Sequence, residues 1–145
     1  MNLGNTLVLT PSDTTIGFLA QEAERLDRVK RRPPGHPYLV ALPSLKALSA
    51  EVRVPPSFRH RVRRSRKTTF IYPGGRSYRV VRDPRHLLLL RRLGWAYSTS
   101  ANLSAHPYDE EWARRQADII VEPLGRPGTP SCILRLGKQR LRKIR

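Results

Sequence analysis

The sequence is poor in the residues that mark secreted, membrane-inserted or metal-binding proteins. Cys132 is the only cysteine in 145 residues, which excludes an intramolecular disulfide framework and suits a reducing cytoplasm. The four histidines are scattered without metal-ligand spacing, so no metal site is predicted. The longest apolar runs, such as residues 87–90, fall far short of the roughly 20 residues that span a bilayer, and the first residues carry no basic leader region. We therefore expect a cytoplasmic protein with no membrane partner.

Acidic residues are also scarce. The chain has 11 Asp and Glu against 28 Lys and Arg, which leaves a formal net charge of +17. Such a field favours polyanionic partners such as RNA, because binding them releases condensed counterions. The cations are concentrated in residues 25–32, 59–67 and 138–145. For each run taken alone the alternative explanation is a solvated face or a disordered tail, but three runs together favour an RNA-facing surface.

The order of local patterns predicts one domain over residues 1–145. Helical and strand segments interleave without a repeat of roughly 20 to 50 residues. Strands are predicted in short apolar or β-branched runs, at residues 7–10, 38–42, 68–72, 78–82, 119–121 and 132–134. Helices are predicted at residues 17–30, after the cap residue Ser44, at 83–94 and at 109–117. This alternation predicts an α+β or α/β fold with helices packed on a sheet.

Three short segments place hydroxyl groups or cations at the ends of predicted strands, where sheet proteins commonly hold ligands. Residues 11–17 carry hydroxyls before a helix, a pattern equally typical of simple N-caps. In residues 30–34, an extended chain would point Lys30 and Arg32 to one side, which suits a phosphate; the alternative is a helix C-terminus decorated with cations. Residues 98–104 hold four hydroxyls and one amide, which favours a binding loop over turn chemistry alone.

Other catalytic patterns are absent from the sequence. The glycines form neither a P-loop nor a dinucleotide-binding fingerprint. Cys132, next to Ser131, is better explained as a small buried residue than as a nucleophile. The acidic triplet at residues 109–111 suits the first turn of a helix before it suits catalysis.

Taken in order, the segments resemble the YrdC-like family, the L-threonylcarbamoyladenylate synthases of tRNA modification and their relatives. Residues 11–18 (PSDTTIGF) are similar to the family's Pro-Thr-Asp-Thr-x-Tyr-Gly-Leu, and residues 30–33 to its Lys-x-Arg-Pro. Residues 99–104 (TSANLS) are similar to its Thr-Ser-Ala-Asn-x-Ser-Gly. Further matches lie at residues 36–40, 69–71, 78–84 and 128–132. The seven matches occur in the family's order and cover almost the whole chain.

The resemblance implies a twisted mixed β-sheet with flanking helices and a positively charged concave face. It implies a nucleotidyltransferase that converts L-threonine, bicarbonate and ATP into threonylcarbamoyl-AMP and pyrophosphate. Mg-ATP is then a substrate, no tightly bound cofactor is expected, and tRNA and partner proteins of tRNA modification are expected partners. The residues that it places around the nucleotide and its phosphates are Lys30, Arg32, Ser100 and Asn102, with Lys30 and Arg32 as the catalytic pair. It places Thr14 and Thr69 near threonine, and Arg82 and Ser131 at further motif positions.

Several positions differ from the family pattern. Ile16 replaces a tyrosine, Phe18 a leucine and Cys132 a threonine, and residues 66–68 replace a Gly-Pro turn. The segment at residues 17–30 is shorter than in the family, and the sequence lacks the additional C-terminal domain of longer synthases. These features predict a short form of the domain, either a minimal synthase or a relative that keeps only the basic cleft.

The basic cleft and the altered pocket also support a second hypothesis, a non-catalytic protein that binds double-stranded or structured RNA. Aromatic residues make up only 7% of the chain, so recognition of backbone and shape is favoured over base stacking. A ribosome-associated structural protein is a third reading of the composition, but it leaves the Ser-Ala-Asn loop unexplained.

Overall fold

A computed structural model describes residues 2–145 as one mixed β-sheet with helices packed against it. Within these residues the strands are β1 (Val8–Pro11), β2 (Ile16–Ala20), β3 (Leu39–Leu42), β4 (Thr68–Ile71), β5 (Ser77–Val80), β6 (Ala96–Ser100), β7 (Ile119–Ile120), β8 (Cys132–Leu136) and β9 (Leu141–Lys143). The α-helices are α1 (Ala23–Lys30), α2 (Leu45–Glu51), α3 (Arg59–Arg64), α4 (Pro84–Leu93) and α5 (Glu110–Gln116). The predicted class, helices on a mixed sheet, is confirmed.

The strand order in the nine-stranded sheet is β7-β1-β2-β6-β3-β5-β4-β8-β9. The pairs β1/β7, β3/β5 and β4/β8 are parallel, and the other five pairs are antiparallel. Strands distant in sequence therefore lie side by side. This strand order places the loop after β1, the start of β4, the middle of β5 and the end of β6 around one cavity of the molecule.

Both faces of the sheet are covered at its β1–β2 end. Leu9 and Phe18 pack with α1 and α5 on one face, whereas Val8 and Leu19 pack with α4 on the other. Successive side chains of a strand point to opposite faces, so such a strand must be apolar at every position. A third apolar cluster joins β3, β4, β5 and β8 to α2 and α3.

This two-sided burial explains why the predicted helix over residues 17–30 was wrong in its first half. Residues 16–20 are a fully buried strand, and the helix begins only at Ala23. A short continuous apolar run has no periodicity that separates a buried strand from a buried helix. Antiparallel pairing of β2 with both β1 and β6 decided the outcome.

Three helices, α2, α4 and α5, begin at the predicted caps, whereas α1 begins after Glu22 and not after the hydroxyls of residues 12–15. The side chains of Ser44, Asp83 and Asp109 each accept an N–H bond, of 3.0, 2.9 and 3.2 Å, from the residue three positions later. These side chains satisfy N–H groups that otherwise lack a partner in the first helical turn. No helix within the described range combines the length and the apolar character that crossing a bilayer requires.

Two further segments differ from the prediction. Ser98 and Ser100, expected in a polar loop, belong to strand β6, where pairing with β2 holds them extended. The C-terminal basic run contributes strand β9, which pairs antiparallel with β8. For β6, the partner β2 lies far away in the sequence and was predicted as part of a helix, so local patterns carried no signal of this pairing. For β9, the partner β8 was predicted, but β9 itself lies in a basic run that has little β-propensity.

Candidate functional site

A concave pocket of about 310 Å³ lies where the loop after β1 meets β4, β5 and β6. Its cations are Arg32, Arg79 and Arg145, and no Asp or Glu belongs to its lining. Its hydroxyl groups include those of Ser12, Thr14, Thr69, Thr99, Ser100 and Ser131. A cavity with arginines, many hydroxyl donors and no acid attracts anions and can hydrogen-bond phosphate or carboxylate oxygens.

Lys30 lies beneath this pocket rather than on its surface. Its side chain is fully buried, and its Nζ donates to the carbonyl oxygens of Ser100 and Asn102, both at 2.7 Å. The chain is not extended there, as one alternative required, because Lys30 is the last residue of α1 and Arg31 follows with a left-handed backbone at φ 55°. In this structure the ammonium positions the loop after β6 instead of facing a phosphate.

Burial, with a smaller contribution from the nearby Arg32 guanidinium, lowers the pKa of Lys30 to about 8. The two carbonyl oxygens compensate part of the cost of burying an ammonium group. An apolar residue would leave both carbonyl oxygens without these bonds. We therefore interpret Lys30 as a structural tie between α1 and the loop.

Arg32 and Asn102 complete the arrangement of that loop. The Nε of Arg32 donates to Ser104 Oγ at 2.8 Å, and its guanidinium lies over the Tyr38 ring, 5.5 Å from the centroid. Asn102 Nδ2 donates to the carbonyl oxygens of Leu103 at 3.0 Å and His106 at 2.9 Å. Asn102 is thus occupied within the loop, whereas Arg32 lines the pocket.

The turn after β1 presents Thr14 to the pocket. Ser12 Oγ donates to the carbonyl of Thr15 at 2.5 Å, and the Thr14 N–H donates to Ser12 Oγ at 3.1 Å. Gly128 packs against this turn so closely that a Cβ there would lie 1.9 Å from the Thr14 carbonyl oxygen. The hydroxyls of this segment therefore shape a tight turn, and only a glycine at position 128 allows the second loop to cover it.

The floor of the pocket is a chain of polar contacts. Arg79, which is 3% exposed, donates to Thr69 Oγ1 at 3.3 Å, and Thr69 Oγ1 and Ser131 Oγ share a hydrogen bond of 3.0 Å. Arg145 Nε donates to the Ser131 carbonyl at 3.0 Å. Behind the floor, Arg79 forms a buried ion pair with Asp13 at 3.2 Å. Burial lowers the pKa of Arg79, and the attraction of Asp13 opposes that shift.

Solved structures with the same chain path are known. The crystal structure of E. coli YciO has a TM-score of 0.79 at 23% identity, covering 97% of this chain and 82% of that chain. P. abyssi Sua5 complexed with L-threonine has a TM-score of 0.77 at 18% identity, covering 98% of this chain and 50% of Sua5. Full-length HypF in its phosphate- and nucleotide-bound form has a TM-score of 0.72 at 19% identity, over 98% of this chain and 27% of HypF. The fold is YrdC-like.

Sequence comparison is less informative than the fold. No family sequence model matches the chain. An uncharacterized protein of Mycoplasma pneumoniae, the MG259 homolog, is 29% identical over an alignment 157 residues long. The alignment covers 97% of this chain and 32% of that protein. The chain therefore spans about a third of the length of this curated relative.

Within the YrdC-like fold, the predicted site residues fall into three groups. Those that line the pocket are Thr14, Arg32, Thr69, Ser100 and Ser131. Lys30 and Asn102 lie directly behind it and hold its loop in place. Arg82 lies elsewhere, because its guanidinium donates to the backbone carbonyls of Ser65, at 2.9 Å, and Arg63. Arg82 fastens the segment after α3 and does not line the pocket.

Sequence reasoning missed three members of the site. Asp13 and Arg79 lie within the matched segments 11–18 and 78–84 but have no predicted role, and Arg145 lies in the basic run 138–145, for which no place in a pocket is predicted. An arginine inside the alternating strand at residues 78–82 was a usable signal, because the interior of a sheet accepts a cation only with a partner. The place of Arg145 depends on β9, which local patterns did not show.

Proposed function

We propose that this chain is an L-threonylcarbamoyladenylate synthase, a nucleotidyltransferase that uses L-threonine, bicarbonate and ATP. The observation that carries the proposal is a pocket lined by Arg32, Arg79 and Arg145 and by hydroxyls that include those of Thr14 and Ser131, with no Asp or Glu side chain in its lining. Each substrate is an anion or carries a carboxylate, and the leaving pyrophosphate is itself a multiply charged anion. A pocket of this charge and donor content suits all of them.

The proposed reaction has two bond-forming steps. The threonine amino group attacks bicarbonate and gives an N-carboxylate with loss of water. An oxygen of that carboxylate then attacks the α-phosphorus of ATP, the bond from the α-phosphorus to the bridging oxygen breaks, and pyrophosphate leaves. Magnesium enters with ATP as part of the substrate. Such a transfer depends mainly on positioning and on neutralising the departing charge, so it requires no covalent nucleophile from the protein.

We assign the pocket residues different roles in this reaction according to their positions. Arg32 lies at the mouth beside the Ser100 loop, where we place the phosphates and the nucleotide. Thr14 lies in the turn after β1 and Thr69 on the floor, and we place threonine there. Lys30 acts indirectly in this proposal, because its ammonium fixes the loop that contacts the nucleotide. It is a positioning residue.

Two structural relatives support this placement. Sua5 was solved with L-threonine, and HypF was solved with phosphate and nucleotide. Both share the fold of this chain at TM-scores of 0.77 and 0.72. Binding of an amino acid and of a nucleotide by proteins of this fold supports the two classes of ligand proposed for this pocket. We propose tRNA as the eventual acceptor of the threonylcarbamoyl group, with partner proteins that complete the transfer.

The test is release of pyrophosphate from Mg-ATP together with incorporation of labelled bicarbonate into an adenylate. Both signals must require L-threonine. We expect Arg32→Ala to lower kcat/KM at least about a hundredfold, because it removes a charge-assisted contact in the transition state. The matched control is Arg31→Asn, which removes the adjacent exposed cation and keeps a residue that tolerates the left-handed backbone at that position.

Two results would contradict the proposal. One is a folded wild-type protein that neither releases pyrophosphate nor gains thermal stability with Mg-ATP at high concentration, since a ligand that binds the native state raises its apparent stability. The other is an Arg32→Ala variant as active as Arg31→Asn, which would contradict the proposed contact of Arg32 with the phosphates.

A second candidate function, binding of double-stranded or structured RNA, rests on the outer side of α3. Arg61 and Arg64 are exposed there, and the exposed Arg66 and Lys67 follow after Ser65. Because such cations neutralise phosphates, the logarithm of the binding constant falls linearly with the logarithm of the salt concentration. We expect Arg61→Glu with Arg64→Glu to weaken binding of an RNA duplex about uniformly across sequences and to flatten the salt slope. Binding that does not depend on salt would contradict this candidate.

A further inference from the structure

A groove open to solvent lies between α2 and α3, away from the pocket described above. Its volume is about 640 Å³, and it shares no lining residue with that pocket. Its floor is aliphatic and is formed by Leu45, Leu48, Val52, Val54 and Val62. Leu48 and Val62 are buried in the cluster below, whereas the other three remain partly exposed. The groove thus offers apolar surface that the folded chain leaves uncovered.

The rim of the groove is cationic. Arg53, Arg59, His60 and Arg63 line it, and all four are exposed. Arg59 and Arg63 are one helical turn apart on α3, so their side chains lie on the same side of the helix. None of the three arginines has an ion-pair partner within residues 2–145. Their charge is therefore available to a ligand.

Carboxylates that could neutralise this rim are nearly absent from the surrounding chain. Glu51 is the only acidic residue among residues 43–82, a segment with eleven Lys and Arg. Its carboxylate pairs with Arg76 at 3.5 Å and is not part of the groove lining. A cleft with one sign of charge around a low-dielectric floor focuses its field on a bound partner. The complementary ligand is acidic at its edges and apolar at its centre.

We propose that this groove binds an acidic amphipathic helix of a partner protein. Apolar side chains at i, i+3 or i+4, and i+7 of that helix cover the aliphatic floor. Carboxylates on either side of this stripe pair with Arg53, Arg59 and Arg63. The charges steer the encounter and set its orientation, while the apolar floor supplies an attraction that salt does not screen.

Two other occupants fit the groove less well. A nucleic acid would satisfy the cations, but its phosphates gain nothing from an aliphatic floor, and Arg61 and Arg64 offer it cations that do not line the groove. A second copy of the chain carries the same net charge of +17, so pairing would bring like charges together. The combination of floor and rim therefore favours an acidic protein segment.

The probe for the test is a fluorescein-labelled synthetic helix with leucines at i, i+3, i+4 and i+7 and glutamate at most other positions. A second peptide of the same composition has its leucines distributed around the helix. We expect the amphipathic peptide to bind at least about tenfold more tightly than the second peptide at physiological salt, where Coulomb attraction alone is screened beyond ~8 Å. Methyl NMR signals of Leu45, Val52 and Val54 are expected to shift on binding.

Charge-reversal variants test the rim. We expect the triple variant Arg53→Glu, Arg59→Glu and Arg63→Glu to weaken the complex at least about tenfold, because attraction becomes repulsion at the contact. The control variant reverses three exposed arginines outside the groove: Arg91, Arg115 and Arg140. The two triple variants have the same net charge. A greater loss of peptide affinity in the first variant therefore shows that the arginines of the groove contact the peptide. A milder change, Val54→Asn, tests the floor and is expected to weaken binding several-fold.

Three results would overturn the proposal. The first is equal affinity for both peptides, which would reduce the interaction to charge alone. The second is an equal loss in the two triple variants while their thermal unfolding remains normal. The third is an RNA duplex that displaces the amphipathic peptide and shifts the same floor methyl signals, which would assign the groove to nucleic acid. None of these measurements involves pyrophosphate release, so their outcome is independent of the proposed synthase activity.

Discussion

Asp13 and Arg79 form an ion pair at 3.2 Å in which both side chains are only 4% exposed. Asp13 follows β1 and Arg79 lies in β5, and three strands of the sheet separate β1 from β5. The pair therefore joins two distant parts of the sheet directly under the pocket floor. Because Arg79 also donates to Thr69, a change in Asp13 is transmitted to a hydroxyl that lines the pocket.

The first prediction concerns this pair. Asp13→Asn or Arg79→Met alone is expected to lower the free energy of unfolding by about 3 kcal/mol, because each leaves a buried charge without its counterion. The double variant is expected to lose less than the sum of the two, since no unpaired charge remains. Urea denaturation of the four proteins measures the cycle. Strict additivity would show that the two side chains do not interact energetically.

The second prediction concerns Lys30 and alkaline pH. The folded pKa of about 8 is below the ordinary value of 10.5, so between these values the unfolded chain binds more protons than the folded chain. The free energy of unfolding therefore rises with pH in that window, by about 1–2 kcal/mol from pH 8 to pH 9.5. Above pH 10 the raised pKa of Tyr38, about 12, acts in the opposite direction.

Two lysine variants isolate this contribution. Lys30→Met removes the buried ammonium and is expected to flatten the rise, at a cost in stability from the two unbonded carbonyls. Lys46→Met changes an exposed lysine of α2 and is expected to keep the rise. The measurement is denaturant unfolding across the pH range. A steep rise that survives in Lys30→Met would show that another group is responsible.

The third prediction concerns His86 and acidic pH. His86 is 2% exposed, and neither ring nitrogen has a hydrogen-bond partner within residues 2–145. Burial lowers its pKa to about 4, with attraction from Asp13 and Asp83 opposing the shift and Arg79 adding to it. Below pH 6.5 the imidazole of His86 binds a proton in the unfolded chain, whereas in the folded chain it stays neutral until the pH approaches 4. The free energy of unfolding therefore falls by about 2 kcal/mol from pH 6.5 to pH 4.5.

Replacement of this histidine is expected to remove that fall. His86→Leu fills a similar volume without a titrating ring, whereas His60→Leu changes an exposed histidine and serves as the control. Thermal unfolding followed at several pH values between 4.5 and 7 compares the three proteins. An undiminished acid sensitivity in His86→Leu would place its origin in the carboxylates instead.

The fourth prediction concerns the contact of Gly128 with the turn after β1. A Cβ at position 128 would lie 1.9 Å from the Thr14 carbonyl, so the backbone of one segment must move. We expect Gly128→Ala to weaken threonine and nucleotide binding at least about tenfold, since misplacement by ~1 Å can cost that much in a positioned site. Gly137→Ala, where the nearest atom is 3.4 Å away, is the control. Unchanged binding by Gly128→Ala would show that the turn is free to adjust.

The sequence carried the signals for much of the local structure. Asp83, Pro84 and Gly94 delimit α4 as expected, because cap, N1 proline and terminating glycine act within a few residues. The strand at residues 39–42 was likewise predictable from a short apolar run. Residues 16–20 were not, since a strand buried on both faces carries no periodic pattern that distinguishes it from a helix.

The sequence by itself determined the excess of cations, the hydroxyl-rich segments and the caps, because these depend on composition and on neighbours along the chain. Only the tertiary structure decided which of these groups share a pocket. In the folded chain Lys30 is buried under the loop after β6, and Arg82 donates to backbone carbonyls outside the pocket. Arg79 and Arg145 lie at the pocket floor. The physical reason is that strand order and the two-sided packing of the sheet set where each side chain points, and both depend on pairings between segments far apart in sequence.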